Sequence, residues 1–143
     1  MNIQSNHHIP FFADLLLTRP KGDSQNEGRL LAETDVFKRT KETPLILCRN
    51  CYYTITKPQE RIEIDNAHRH TFANPNGYLF EIGCFRNAAG CAVTGIKTNE
   101  FTWFYGYTWQ IGVCRRCAIH LGWRFQSTLD HFYGLILERL AEN

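Results

Sequence analysis

Cys48-Arg49-Asn50-Cys51 and Cys114-Arg115-Arg116-Cys117 are two Cys-x-x-Cys pairs, and residues 52–113 lie between them. The two-residue gap lets both sulfurs of a pair turn to one point, and two pairs supply the four thiolates of a closed tetrahedral zinc site. The separation exceeds that of a minimal zinc ribbon, so a whole sheet must be looped out with the metal joining its ends. The expectation is one structural Zn²⁺ held by Cys48, Cys51, Cys114 and Cys117. Arg49, Arg115 and Arg116 sit beside the sulfurs and offset the negative charge that four thiolates leave on one Zn²⁺. Two disulfides are the other use of four cysteines, but a reducing compartment disfavours them, and a bridge inside Cys-x-x-Cys is usually a redox centre. Cys84 and Cys91 flank a turn at residues 85–90 and read as buried free thiols, with pairing or metal binding as the alternative. The histidines form no ligand spacing: His68 and His70 fall in a loop-like stretch, and His120 reads as a local hydrogen-bonding residue.

Outward from the knuckles, breakers recur at short intervals: Pro58, Asn74-Pro75-Asn76-Gly77, residues 87–90, Lys97-Thr98-Asn99, Gly106, Gly112 and Gly122. Between them lie runs rich in β-branched and aromatic residues, at 52–56, 78–85, 93–96 and 107–113, which predicts a mainly antiparallel β domain. Residues 132–140 suit a helix or a strand equally, and periodicity does not decide between them. Before Pro44 the composition is different. Residues 1–43 are dense in charge and contain no Cys, Trp or Tyr. They are expected to be an extension of unknown role, with residues 44–143 as the packed domain; Leu30, Leu31, Val36 and Phe37 could line a short helix within the extension.

A chain of 143 residues fits one domain. Its 43% hydrophobic and 21% charged residues exclude wholesale disorder. The longest early apolar run, residues 9–17, is interrupted by Asp14 and is too short to span a bilayer. It also lacks the basic start and small-residue cleavage site of a secretory signal, so a cytoplasmic location and no membrane partner are expected. A net charge of +2 draws no nucleic acid by itself.

The densest aromatic stretch is Phe101-Thr102-Trp103-Phe104-Tyr105-Gly106-Tyr107-Thr108-Trp109, and Gly122-Trp123-Arg124-Phe125 follows the second knuckle. Aromatics in a small β domain are most often core. Three indoles, each with an N–H that wants a partner, also suit a half-open cage for a flat polar ring or a methylated ammonium. Composition leaves both open.

Taken in order, Asn74-Pro75-Asn76-Gly77-Tyr78, residues 102–109, the second knuckle, His120-Leu121-Gly122-Trp123-Arg124-Phe125 and Phe132-Tyr133-Gly134-Leu135 resemble the CULT domain family, which includes the thalidomide-binding domain of cereblon and small stand-alone bacterial relatives. The resemblance covers about residues 45–141. It implies the β-tent fold, two antiparallel sheets at roughly right angles pinned by zinc. It also implies a pocket walled by Trp103, Trp109 and Trp123, with Phe125 at its base, Asn74 over its mouth and Tyr107 in support. By the same resemblance a cyclic imide enters edge-on, its N–H bonded to the Phe101 carbonyl and one ring carbonyl bonded to the Trp103 amide. Two positions depart from cereblon, which has His in place of Phe101 and Pro in place of Tyr105. The first spares the backbone contact but removes a side-chain hydrogen bond, and the second alters loop stiffness.

The expected function is therefore a non-enzymatic module binding cyclic imides: glutarimide or thalidomide-type rings, uracil-like rings, or cyclic imides at protein C-termini. The enzyme alternative is a methionine sulfoxide reductase of the B type, which shares the double knuckle and the Cys117-Ala118-Ile119-His120-Leu121-Gly122 continuation. That chemistry needs a thiolate on the last strand, where Gly134 stands instead. A zinc-ribbon nucleic-acid binder needs a basic stripe, and residues 71–113 offer only Arg86 and Lys97. No ubiquitin-ligase scaffold is expected to dock on this chain alone.

Overall fold

The computed structural model describes residues 42–143; the extension and its possible short helix lie outside the described residues. Nine strands follow in order: β1 Ile46–Cys48, β2 Thr54–Thr56, β3 Arg69–Ala73, β4 Leu79–Phe85, β5 Cys91–Thr98, β6 Thr108–Cys114, β7 His120–Gln126, β8 His131–Ile136 and β9 Leu140–Glu142. They build two antiparallel sheets, one of three strands in the order β2-β1-β9 and one of six in the order β3-β4-β8-β7-β6-β5. There is no α-helix among the described residues, and so none long and apolar enough to cross a membrane. The ambiguous closing segment is strand β8, a 3₁₀ turn at Leu137–Arg139, and strand β9.

Strand β8 lies inside the large sheet, and its alternation shows how both faces are buried. Phe132 and Ile136 point to one side, where they join Ile82, Phe104 and Phe125. Leu135 points to the other, toward Ile46, Ile55, Phe85, Leu121 and Leu140. The period-2 geometry of a strand produces this division. In β7 the same rule would put Leu121 beside Phe125. A bulge intervenes: His120 pairs with Val113 but Gly122 with Gly112, so Leu121 turns to the opposite core. Gly122 makes this possible with φ of +154° and no side chain, since a Cβ there would collide with the Gly134 carbonyl.

His68 lies in a bend just before β3, as the loop-like reading expects, but His70 does not sit in a loop. His70 is in β3, and its Nε2 lies 2.9 Å from the carbonyls of both Ile64 and Ala67. Strand β3 pairs residue by residue with β4, and that long-range pairing outweighs the weak local strand signal of Arg69–Ala73. Cys84 and Cys91 are free and fully buried, one in each core. Burial pushes both thiols up to about 12.

Candidate functional site

The two knuckles fold alike. Tyr52 N–H donates to the Cys48 carbonyl at 2.7 Å, and Ala118 N–H to the Cys114 carbonyl at 2.9 Å. Cys48 N–H then donates to Tyr53 and Cys114 N–H to Ile119, at 2.8 and 2.9 Å. Tyr52 and Ala118 both take the left-handed conformation, with φ of 59° and 62°, which lets each loop turn back under its sulfurs.

The four Sγ atoms lie within 4.8 Å of one another. Cys48 Sγ is 3.7 Å from Cys117 Sγ, and Cys51 Sγ is 3.6 Å from Cys114 Sγ. A zinc–sulfur bond of about 2.3 Å gives a tetrahedron with edges near 3.8 Å, so these spacings fit the ion. The donor set, four sulfurs with no open position, is that of a structural zinc site. Burial pushes the Cys48 thiol up to about 12 and raises that of Cys51. Hydrogen bonds from Asn50 and then the Ile119 backbone hold Cys117 down at about 6. A Zn²⁺ bound by these four residues would supply the positive charge that favours their thiolate forms.

The indoles gather at a different place. Trp109 and Trp123 project from the paired strands β6 and β7, and Trp103 stands on the loop between β5 and β6. That loop is anchored by Phe104, which is 1% exposed and meets Phe125 and Phe132 edge to face at 4.9 and 5.0 Å. Burying such a ring contributes about 2–3 kcal/mol, enough to fix a short loop. Trp103 is edge-on to Trp123 at 4.6 Å and stacks on Phe72 at 5.0 Å.

A cavity of about 490 Å³ opens among these rings, lined by Asn74, Phe101, Trp103, Trp109, Trp123 and Phe125. Phe80, His120, Glu100, Thr98, Pro75 and Ile111 complete its wall and were not among the pocket residues expected from the sequence, where His120 was read only as a local hydrogen-bonding residue. Phe80 meets Trp123 edge to face at 5.2 Å, and His120 meets it from another side at 4.8 Å. The spacing His120 to Trp123 across the bulge was the available signal for His120, while Phe80 carried none. Burial lowers the basicity of His120, whose Nε2 lies 2.9 Å from the Gly122 carbonyl. Tyr107 does not line the cavity. It packs on Phe132 at 5.2 Å and donates its hydroxyl to Asp130 Oδ2 at 3.3 Å, behind the cage loop. Asp130 is in turn ion-paired with Arg86.

The polar groups of the cavity are sparse. Trp103 Nε1–H is spent on the Ala73 carbonyl at 3.1 Å, and Trp109 Nε1–H on the Glu100 carbonyl at 2.8 Å. Both indoles therefore present ring faces rather than donors. Asn74 Oδ1 accepts from the N–H groups of Asn76 and Tyr78, at 3.0 and 2.9 Å, so only its NH₂ remains to point outward. Among the described residues, neither the Phe101 carbonyl nor the Trp103 N–H has a hydrogen-bond partner. Apolar walls with a few fixed polar groups suit a small flat molecule.

No family model matches the chain. Among curated proteins it is similar to "Protein cereblon" of Gallus gallus, 31% identical over 125 residues, covering 80% of this chain and 27% of that protein. "Protein cereblon" of Danio rerio is 31% identical over 114 residues, covering 75% of this chain and 26% of that protein. "Protein cereblon" of Drosophila melanogaster is 30% identical over 103 residues, with 66% and 18% covered. The chain thus spans about a quarter or less of the length of these relatives.

Proposed function

Because the chain contains a small β domain homologous to the CULT domain of cereblon, with its four-cysteine zinc cluster, we propose that its aromatic cavity binds cyclic imides between Trp103, Trp109 and Trp123. The domain is a binding module, not an enzyme. A catalytic cysteine at Gly134, as the reductase alternative requires, has no room: a Cβ there would lie 2.9 Å from both Phe125 and Ile82. We further propose residues 44–143 as the binding unit and residues 1–43 as an extension of it.

The observation that carries the reading is the pairing of spent indole N–H groups with a free backbone edge. A dicarboximide is planar and uncharged, with one N–H donor between two carbonyl acceptors. The Phe101 carbonyl would accept its N–H, the Trp103 N–H would donate to one ring carbonyl, and the Asn74 NH₂ would reach the other. Each polar group entering the apolar box is then satisfied, which is what makes its desolvation affordable. Ligands of this class include glutarimides, uracil-like rings and cyclic imides at the end of a protein chain. Six unpaired thiols suit a reducing compartment.

Glu100 favours one second reading. This exposed residue belongs to the lining, and aromatic faces with an acidic residue near them also attract a methylated ammonium. Titration of the tryptophan fluorescence with glutarimide, N-methylglutarimide and tetramethylammonium separates the two. Saturable response to glutarimide alone is expected. Equal response to the N-methyl derivative removes the backbone contact, and preference for the ammonium replaces the imide.

A further inference from the structure

Among the described residues, five other than glycine have positive φ, and four of them have a local reason. Asp65 and Asn66 are turn formers that tolerate the left-handed region, and Tyr52 and Ala118 close the two knuckles. Phe101, with φ of 54°, has none: for a bulky residue this conformation is an outlier. Its side chain is 72% exposed, so packing of the ring does not hold it there. Neither its N–H nor its carbonyl has a hydrogen-bond partner among the described residues. The neighbours impose the strain. Glu100 N–H donates to Thr98 Oγ1 at 3.1 Å, and the Glu100 carbonyl accepts from Trp109 Nε1–H at 2.8 Å. Thr102 N–H donates to the Asn99 carbonyl at 3.3 Å, and its hydroxyl to the Phe104 carbonyl at 3.3 Å.

The bond from Thr102 to Asn99 closes a β-turn with Phe101 at its third position, where a positive φ ordinarily calls for glycine or asparagine. While such a turn stays closed, φ at the third position changes sign only by turning over the central peptide plane, the step that separates type II from type I. Here that plane carries the Glu100 carbonyl, so relaxing Phe101 breaks the bond that tethers Trp109. Phe101 and Trp109 both line the cage cavity, and strain of this kind concentrates at ligand sites. Building on the imide reading above, we propose that the turn and the Trp109 wall are one two-state element whose balance is set by residue 101. The left-handed turn with Trp109 tethered binds the imide, and the relaxed turn with Trp109 released does not. The strain of a phenylalanine keeps the two states close, so affinity follows the fraction of chains in the strained one. Phe101 is thereby a positioning residue, acting through its backbone and through Trp109.

The test compares Phe101→Val and Phe101→Asn with the unaltered, zinc-loaded full-length chain, by stopped-flow tryptophan fluorescence with glutarimide and by hydrogen exchange of the Trp109 indole N–H. Valine, being β-branched, resists positive φ, whereas asparagine accepts it. Phe101→Val should slow association about fivefold and leave the dissociation rate unchanged, because it depletes the binding state without touching the bound contacts. Its Trp109 indole N–H should exchange faster. Phe101→Asn should associate at least as fast as the unaltered chain, exchange more slowly at Trp109 and unfold at higher denaturant. The proposal is overturned if Phe101→Val binds like the unaltered chain, if Trp109 exchange ignores residue 101, or if both variants speed dissociation, which would mark the ring itself as the contact. No response of the unaltered chain to glutarimide overturns the imide reading and this proposal together; binding indifferent to residue 101 overturns this proposal alone.

Discussion

Trp103 and Trp123 stand edge to face with ring centroids 4.6 Å apart and planes at 72°, one indole carried by a loop and the other by β7. Trp103 is backed by Phe72, stacked on one of its faces, and its place at the cavity depends on the loop staying where Phe104 anchors it.

Trp123→Ala should therefore cost at least about 2 kcal/mol of imide binding, roughly thirtyfold in affinity, while the protein keeps its zinc. Trp103→Phe keeps a ring but loses the bond to the Ala73 carbonyl, and should weaken binding by a smaller factor. Isothermal titration with glutarimide, alongside zinc analysis, distinguishes a lost wall from a lost fold.

The zinc cluster should hold one ion per chain, and a strong chelator should unfold the domain, because the ion joins the start of the small sheet to the β6–β7 turn. Uptake should release protons at neutral pH. Cysteines stripped of the ion are thiols at neutral pH and must lose their protons to bind it. Apparent zinc affinity should then fall as pH is lowered, and proton release in weak buffer measures it. Uptake with no proton release counts against this assignment.

Alkaline pH should also destabilise the domain through Cys84 and Cys91, which are not zinc ligands. Each is raised from an ordinary 9.0 to about 12 by burial, so each thiol favours the fold below pH 9 and loses that contribution as pH rises toward 12. Melting temperatures between pH 8 and 11 should fall, and Cys84→Ala should flatten the slope even though the variant starts less stable.

Ala118→Gly should leave stability unchanged or raise it by up to about 1 kcal/mol, against the usual cost of glycine in ordered structure, because Ala118 is left-handed. Denaturant unfolding of the zinc-loaded protein checks the sign. A clear loss would show that the Ala118 methyl packs usefully in the knuckle.

Gly134→Cys should be strongly destabilising and should not confer methionine sulfoxide reduction, since its Cβ meets Phe125 and Ile82 at 2.9 Å. The unaltered protein should likewise show no turnover with any thiol donor. Turnover abolished by changing Cys84 or Cys91 would reverse the assignment as a binding module.

By itself the sequence determined the four-cysteine cluster and the antiparallel β character. These are local signals: a two-residue gap aims two sulfurs, and runs of β-branched and aromatic residues between turn formers make strands. The tertiary structure decided everything that depends on residues distant in the chain. Arg69–Ala73 is a strand because β4 lies beside it, and the closing segment is β8 rather than a helix because β4 and β7 flank it. Leu121 and Phe125 part company because a bulge at Gly122 exchanges the faces of β7. Phe80 and His120 join the cavity for the same reason: which face a side chain takes follows from strand register, and register is set by pairing across the sheet, not by the residue's own neighbours.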